Sequence, residues 1–435
     1  MRPAIAGKLL MYGRDAIGKS VPMAESRAGD EASGVTRSTI IARRVSMLYR
    51  SLKEIPVSIL GFGAMRLPLV GGTEKPTDSF DPARSIDEDE TARMIEYAID
   101  HGVNYFDTAY NYHGGKSEVV LGRILKPYRD RVTLVTKLPV FLAKEREDFD
   151  RFLDEQLQRL QTDHLDIYLL HGLNEKTWEA AKGLGVLAFL DRPRKDGRVR
   201  RVGFSFHDTV AVFKEIVEAY DWTMCLIQYN YLDEQYQAGS EGLMYAASRG
   251  LGVAVMEPLR GGKLAKVLPE VQRLFHSSPA GRAPAEWALR WVWNHPEVGV
   301  VLSGMSTLDQ VRENIGFAAE GRANSLSPED LALLDRARQA YRNLLEVDCS
   351  GCAYCMPCPK GVNIPMNFSF YNDAVTFKDP TGVMVYNAFF PPEQRASACT
   401  ECGECEEKCP QHIPIHEELK KVHAALYRET GEGPA

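Results

Sequence analysis

From about Ser58 onward, short apolar runs alternate with longer stretches whose apolar positions recur at helical spacing. The runs are VSILGFGAM, YFDTA, TLVTKL, DIYLLHG, RVGFSFH, CLIQYN, GVAVMEPL and GVVLSG. Between them lie segments such as DEDETARMIEYAIDHG, DFDRFLDEQLQRLQTDHL and SEGLMYAASRG. In the first of these, Thr91, Met94, Ile95, Ala98 and Ile99 share one helical face, and Gly102 supplies a stop. Strands alternating with helices predict parallel βαβ units. Eight such units predict an α/β fold of the (β/α)8 TIM-barrel type over residues 47–340, closed by the capped helix LSPEDLALLDRARQAYRNLL. Near its start, GFGAMR offers Gly61 and Gly63 but places Arg66 where a third glycine would complete a dinucleotide fingerprint, which argues against a Rossmann unit.

The two ends of the chain depart from this pattern. Residues 1–46 carry eight Lys/Arg against four Asp/Glu, with many small residues and no sustained apolar period. They are expected to be a disordered extension or a misplaced start, with Met47 as the functional beginning; the acidic residues weigh against a transit peptide. Residues 341–435 hold eight of the nine cysteines, and only Cys225 stands elsewhere. No apolar h-region lies near Met1, so clustered thiols in a cytoplasmic-looking chain point to metal rather than disulfides. The net charge of -7 argues against nucleic acid as a partner, and no apolar run reaches the roughly 18 residues of a membrane span.

In such a barrel, polar residues at the C-terminal strand ends are the first catalytic candidates. Asp107 and Tyr112 in NYFDTAYNYHGG, Lys137 in LVTK and His171 in YLLHG occupy successive strand ends. A lysine ending an apolar strand needs a partner, and Asp107 is suited to be one. A cation beside a phenol is expected to lower the phenol's pKa, making Tyr112 a general acid that protonates an alkoxide as hydride reaches a carbonyl. His171 would orient the carbonyl oxygen. Each residue alone also has a bland reading, as cap, rim aromatic, surface charge or core histidine; four in series favour chemistry.

On these residues the chain resembles the aldo/keto reductase family over about residues 47–340, with the Asp and Tyr of NYFDTAYNY, the Lys of VTK and the His of LLHG in the family's order. The resemblance implies reduction of a small aldehyde or ketone by NADPH or NADH, with Asp107, Tyr112, Lys137 and His171 as the tetrad. It implies that Ser205 and Gln228 hold the nicotinamide amide, although Phe206 replaces the usual Asn and His207 follows it. MEPLRGGKL, with Pro258, Leu259 and Gly261, resembles the pyrophosphate loop. Glu313 and Asn314 resemble adenine contacts, whereas Gly304, Ser306 and Gln310 stand where basic residues would take a 2′-phosphate, so NADPH and NADH both remain open.

The tail reads Cys349-x2-Cys352-x2-Cys355-x2-Cys358-Pro359 and then Cys399-x2-Cys402-x2-Cys405-x3-Cys409-Pro410. By the rule of two-cluster ferredoxins, in which the fourth cysteine serves the other cluster, Cys349, Cys352, Cys355 and Cys409 would hold one [4Fe-4S] cluster. Cys399, Cys402, Cys405 and Cys358 would hold the second. Zinc knuckles are the alternative. GCAYCMPCPKGVNIP resembles the hallmark of aldo/keto reductases fused to a small, mainly helical ferredoxin-like domain. In the spacer, Phe368, Phe370, Tyr371, Phe389 and Phe390 are expected to pack. Two functions from different classes follow: a carbonyl-reducing oxidoreductase whose clusters transfer electrons or brace the tail, and an iron–sulfur electron-transfer protein whose barrel is a docking or redox-sensing platform. A redox partner protein belongs to either.

Overall fold

The structure, a computed structural model, describes residues 46–72, 78, 81, 83–349, 351 and 354–428, with two short strands before them. Those strands, β1 (Tyr12–Arg14) and β2 (Ser20–Pro22), pair antiparallel within a first unit, Met1–Arg44. The rest of the expected extension over 1–46 lies almost wholly outside the described residues. Barrel and cysteine-rich tail belong together to the second unit, Val45–Ala435. Met47 is buried in the barrel core.

An antiparallel hairpin, β3 (Tyr49–Leu52) and β4 (Ile55–Ser58), opens this unit. Eight parallel strands then close into a barrel: β5 (Leu60–Gly63), β6 (Tyr105–Asp107), β7 (Thr133–Leu138), β8 (Leu165–Leu173), β9 (Val199–Phe206), β10 (Met224–Gln228), β11 (Gly252–Met256) and β12 (Val298–Ser303). Each overlaps one of the eight apolar runs, although β8, β9, β10 and β12 begin one or two residues before theirs. The first run is divided, because VSILGFGAM breaks at Ile59 into β4 and β5. The hairpin plugs the strand-start end of the barrel. Leu52 and Val57 join Tyr105, Val135, Ile167, Leu169, Met224, Leu226, Ala254 and Val300 in the barrel's interior core. A Cβ on Gly252 or Gly299 would lie 2.8 or 2.7 Å from Leu52 atoms, so glycine is what admits the plug. The opposite, C-terminal end stays open.

The outer layer is α1 (Glu88–Asp100), α2 (Lys116–Leu125), α3 (Glu147–Arg159), α4 (Glu175–Gly183), α5 (Val186–Lys195), α6 (Val210–Glu218), α7 (Gly239–Ser248), α8 (Pro269–His276), α9 (Pro284–Trp293), α10 (Leu308–Ala318) and α11 (Pro328–Arg342). Thr91, Met94, Ile95, Ala98 and Ile99 are the buried face of α1, as their spacing predicts. Asp87 caps that helix, and Ser327 forms a capping box on α11.

The tail adds α12 (Ile364–Thr376), α13 (Thr381–Ala388), α14 (Glu404–Glu407) and α15 (Ile415–Leu426) around a core of its own. Phe368, Phe370, Tyr371 and Phe390 are buried there. Phe389 is not: it ends α13 and is 72% exposed, while its neighbour Phe390 takes the inward position beside Phe370 and Tyr386. The tail lies against loops at the open end of the barrel. Tyr236, after β10, donates its hydroxyl to Met366 Sδ at 2.7 Å, and Lys176, after β8, pairs with Glu393 at 3.5 Å.

Candidate active site at the open end of the barrel

Alternate residues of a strand share a face. Tyr105, Val135 and Leu169 fill the barrel interior, so Asp107, Lys137 and His171, each two residues further on, form the next layer toward the open end. The Lys137 ammonium donates to Asp107 Oδ1 at 2.5 Å, to the Thr108 carbonyl at 2.8 Å and to the Tyr112 hydroxyl at 3.3 Å. It also lies 4.8 Å from the Tyr112 ring centre. The Tyr112 and His171 rings meet edge to face at 5.9 Å, and Phe141 and His171 do the same at 5.6 Å. The four residues named from the sequence are thus gathered in one place.

Lys137 and Asp107 side chains are 1% and 4% exposed. Burial works against the Lys137 ammonium, but Asp107 and Tyr112 outweigh it and its pKa rises, so the group is a cation at any ordinary pH. Burial pushes the Asp107 carboxyl up, and Lys137 opposes that. For Tyr112 the sequence-based expectation has the wrong sign. Burial raises the phenol above its ordinary value, and the lowering by Lys137 only partly offsets this. Tyr112 is therefore a fully protonated phenol near neutrality. Burial, with Lys137 and His207 nearby, holds the His171 imidazole well below its ordinary range, hence neutral. Among the described residues, nothing hydrogen-bonds the buried Asp107 Oδ2 or His171 Nδ1.

Supporting residues went unnoticed in the sequence. Burial pushes the His113 imidazole down to about 4, and its Nε2 accepts the Leu67 N–H at 3.2 Å, fastening the turn that carries Tyr112. Beneath Lys137, Gln156 donates to the Lys137 carbonyl at 3.0 Å and to the fully buried Glu118 at 2.5 Å, while Arg159 pairs with Glu118 at 3.2 Å. A carboxylate on the inner face of an amphipathic helix has no local sequence signature, because its partners come from other elements.

The remaining candidates ring the same opening. Ser205 Oγ accepts the Gly172 N–H at 2.7 Å, and Gln228 donates to Asp233 at 3.3 Å. Phe206 is turned to the outer layer and packs on Phe213 at 5.1 Å. By the strand's alternation, His207 rather than Phe206 shares Ser205's face. Pro258, Leu259 and Gly261 follow β11, and Gly304 follows β12. Gln310 accepts the Ser306 N–H at 2.8 Å, and Asn314 donates to Ser303 Oγ at 2.9 Å. Glu313 is exposed. Arg312 pairs with Asp309 at 3.0 Å. In the sequence Arg66 marks only a missing glycine, yet its side chain lies beside both Gly261 and Gly304. A Cβ on Gly261 or Gly304 would lie 3.4 Å from it. Glycine at both positions leaves the Arg66 side chain room between the loops after β11 and β12.

In the tail, one cavity is lined by Cys355, Cys358, Cys399, Cys402 and Cys405. A second is lined by Cys349, Cys355 and Cys409. Cys352 lies outside the described residues. Among the described residues, no three Cys, His, Asp or Glu side chains converge on a single-ion position. Seven described thiolates divided between two cavities form a donor set suited to two iron–sulfur cubes. Burial, with Glu406, Cys399 and Cys358 alongside, pushes the Cys405 thiol up to about 11. Cys402 is exposed. His416 pairs with Glu406 at 2.5 Å, and Cys225 is a buried core thiol.

A family model for the aldo/keto reductase family matches residues 60–339. The chain belongs to the aldo/keto reductase family. A second model, for a 4Fe-4S dicluster domain, matches residues 348–413 and implies two clusters in this oxidoreductase. Among similar proteins, L-galactose dehydrogenase of Arabidopsis thaliana is 26% identical over 320 residues, which cover 67% of this chain and 97% of the relative. Methylglyoxal reductase YeaE of Escherichia coli (strain K12) is 27% identical over 275 residues, covering 60% of this chain and 90% of that protein. The holo form of aldo-keto reductase AKR11C1 from Bacillus halodurans superposes with a TM-score of 0.55 at 26% identity, covering 67% of this chain and 96% of its own. No helix among the described residues is long and apolar enough to cross a membrane.

Proposed function

We propose that the barrel reduces a small aldehyde or ketone, and that Tyr112, Lys137, Asp107 and His171 carry the reaction. The observation that bears most weight is the buried Lys137 ammonium touching both Asp107 and the Tyr112 hydroxyl. Bound NADPH or NADH supplies the hydride. Tyr112 donates its proton to the carbonyl oxygen, which gains electron density as the carbonyl carbon is reduced. Lys137 stabilises the phenolate left behind, and Asp107 keeps the lysine charged and aimed. Neutral His171 donates a hydrogen bond to the same carbonyl oxygen and fixes its orientation. Ser205, Gln228, Pro258, Leu259, Gly261, Gly304, Gln310, Glu313 and Asn314 would hold the dinucleotide, with Arg66 at its phosphates. Two relatives are named for a sugar and for methylglyoxal, both small and oxygen-rich, which supports a short polar carbonyl compound as substrate.

The pH dependence follows from the signs given above. Tyr112 loses its proton only above its ordinary pKa of about 10, and His171 gains one only well below about 6.5. Reduction is expected to be flat from about pH 6.5 to about 9.5. The reverse oxidation, which needs the phenolate, is expected to climb with pH over that range. A steady-state profile with an inflection near pH 8 in the reductive direction would contradict the acid assignment.

We assign Cys349, Cys352, Cys355 and Cys409 to one [4Fe-4S] cluster and Cys399, Cys402, Cys405 and Cys358 to the other. Cys409 shares a cavity with Cys349, and Cys358 shares one with the later three, which supports this crossed arrangement; Cys355 lines both cavities. Bound clusters supply one-electron capacity, and the exposed Cys402 edge supports exchange with a redox partner protein. The purified protein is expected to hold about eight iron and eight sulfide per chain. Under the crossed assignment the double variant Cys349→Ser/Cys409→Ser keeps about half the iron, whereas Cys349→Ser/Cys358→Ser loses nearly all of it. The opposite ranking would exclude the crossing.

A further inference from the structure

We infer that the tail acts as a clasp on the dinucleotide loop, with Asp373 and Asp379 as positioning residues for cofactor binding. The inference rests on the reading that the segment after β11, Met256–Leu264, holds the pyrophosphate. That segment closes its own turns, with the Arg260 N–H donating to the Glu257 carbonyl at 3.0 Å and the Gly262 N–H to the Leu259 carbonyl at 2.9 Å, but at a conformational cost. Glu257 (φ 56°) and Arg260 (φ 48°) are left-handed although neither is glycine, and Gly261 (φ 66°) and Gly262 (φ 97°) continue the left-handed run. Side chains rarely adopt such backbone unless their surroundings over-determine it.

Here the surroundings come from barrel and tail together: Asn230 of the barrel donates to the Glu257 carbonyl at 3.2 Å, and carboxylates of the tail meet the cations of the loop. Lys263 pairs with Asp379 at 2.6 Å and with Asp373 at 3.3 Å. Arg260 lies 3.2 Å from Asp373, 3.0 Å from Asp233 of the barrel, and 5.3 Å from the centre of the Phe377 ring. All five charged side chains are only 10–17% exposed, so solvent screens these pairs weakly. Two of the three carboxylates belong to the tail, and they answer both cations of the loop. Asp373 lies near the end of α12, whose first turns, through Ile364, Pro365 and Phe368, line the cavity of Cys349, Cys355 and Cys409. One helix therefore links a cysteine cavity to the loop.

A loop held in its bound shape releases its ligand more slowly than one that must be ordered at each encounter. Neutralising the tail's carboxylates should free it. The experiment is stopped-flow displacement of NADPH and NADH from the intact, cluster-loaded protein, followed by dinucleotide fluorescence without any carbonyl substrate. Asp379→Asn is the first variant, because its amide oxygen can still accept the Thr381 N–H that Asp379 now accepts at 2.9 Å. Asp373→Asn/Asp379→Asn is the second, and Lys263→Met breaks the same contact from the barrel side. Iron content and visible absorbance establish that each variant retains its clusters.

Dissociation about fivefold faster in Asp379→Asn, and about tenfold or more in the double variant, is the expected result. Wild-type rates in a cluster-loaded Asp379→Asn and Lys263→Met would overturn the clasp while leaving the dinucleotide reading intact. Failure of the wild-type protein to bind either dinucleotide would overturn that reading and the clasp with it.

Discussion

Tyr112→Phe is expected to lower carbonyl reduction by about a hundred- to ten-thousandfold, the usual contribution of a positioned general acid. The change removes one oxygen and little volume, and among the described residues that oxygen takes part in a single hydrogen bond, from Lys137 at 3.3 Å. The fold should therefore survive, and iron content and dinucleotide binding should stay at wild-type levels. The loss belongs in the chemical step, so kcat and kcat/KM should fall together. A loss confined to KM would make Tyr112 a binding residue. Retained turnover would remove it from the reaction.

Lys137→Met should act on both stability and catalysis. It leaves Asp107 buried with no cation, and breaking a buried pair from one side costs about 3–5 kcal/mol. Chemical denaturation of the cluster-loaded protein should detect a loss of that order together with near-complete loss of reduction. Asp107→Asn added to Lys137→Met removes the uncompensated charge, so it should restore much of the stability and none of the turnover. If Lys137→Met alone is as stable as the wild-type protein, the pair is not the buried, mutually dependent one described.

The legible parts of this chain are those governed by local periodicity. Eight apolar runs became eight barrel strands, because a strand buried on both faces has to be apolar throughout. Asp107, Lys137 and His171 were recognisable since each interrupts or ends such a run with a group that is costly to bury. The cysteine spacing was legible for the same reason: a cluster's corners constrain ligands close in sequence. What escaped depends on distant partners. Nothing local marks Glu118 as buried, because Gln156 and Arg159 reach it from another helix. The β3–β4 hairpin was absorbed into a longer apolar run, and only its contact with Gly252 and Gly299 reveals it as a plug. The Tyr112 phenol was given the wrong direction because a sequence displays the nearby lysine but not the depth of burial, and burial prevails. Asp373 and Asp379 look like ordinary surface acids until the tail is laid against the loop after β11.

The most direct test follows deuterium from reduced nicotinamide labelled at ring C4, under anaerobic turnover of the cluster-loaded protein with a small polar aldehyde or ketone. Direct reduction in the barrel puts the label on the carbinol carbon of the product, in step with dinucleotide oxidation. If the dinucleotide is oxidised while the product carries only solvent hydrogen at that carbon, the electrons have taken another route. In that case Tyr112, Lys137, Asp107 and His171 do not form the site of hydride acceptance.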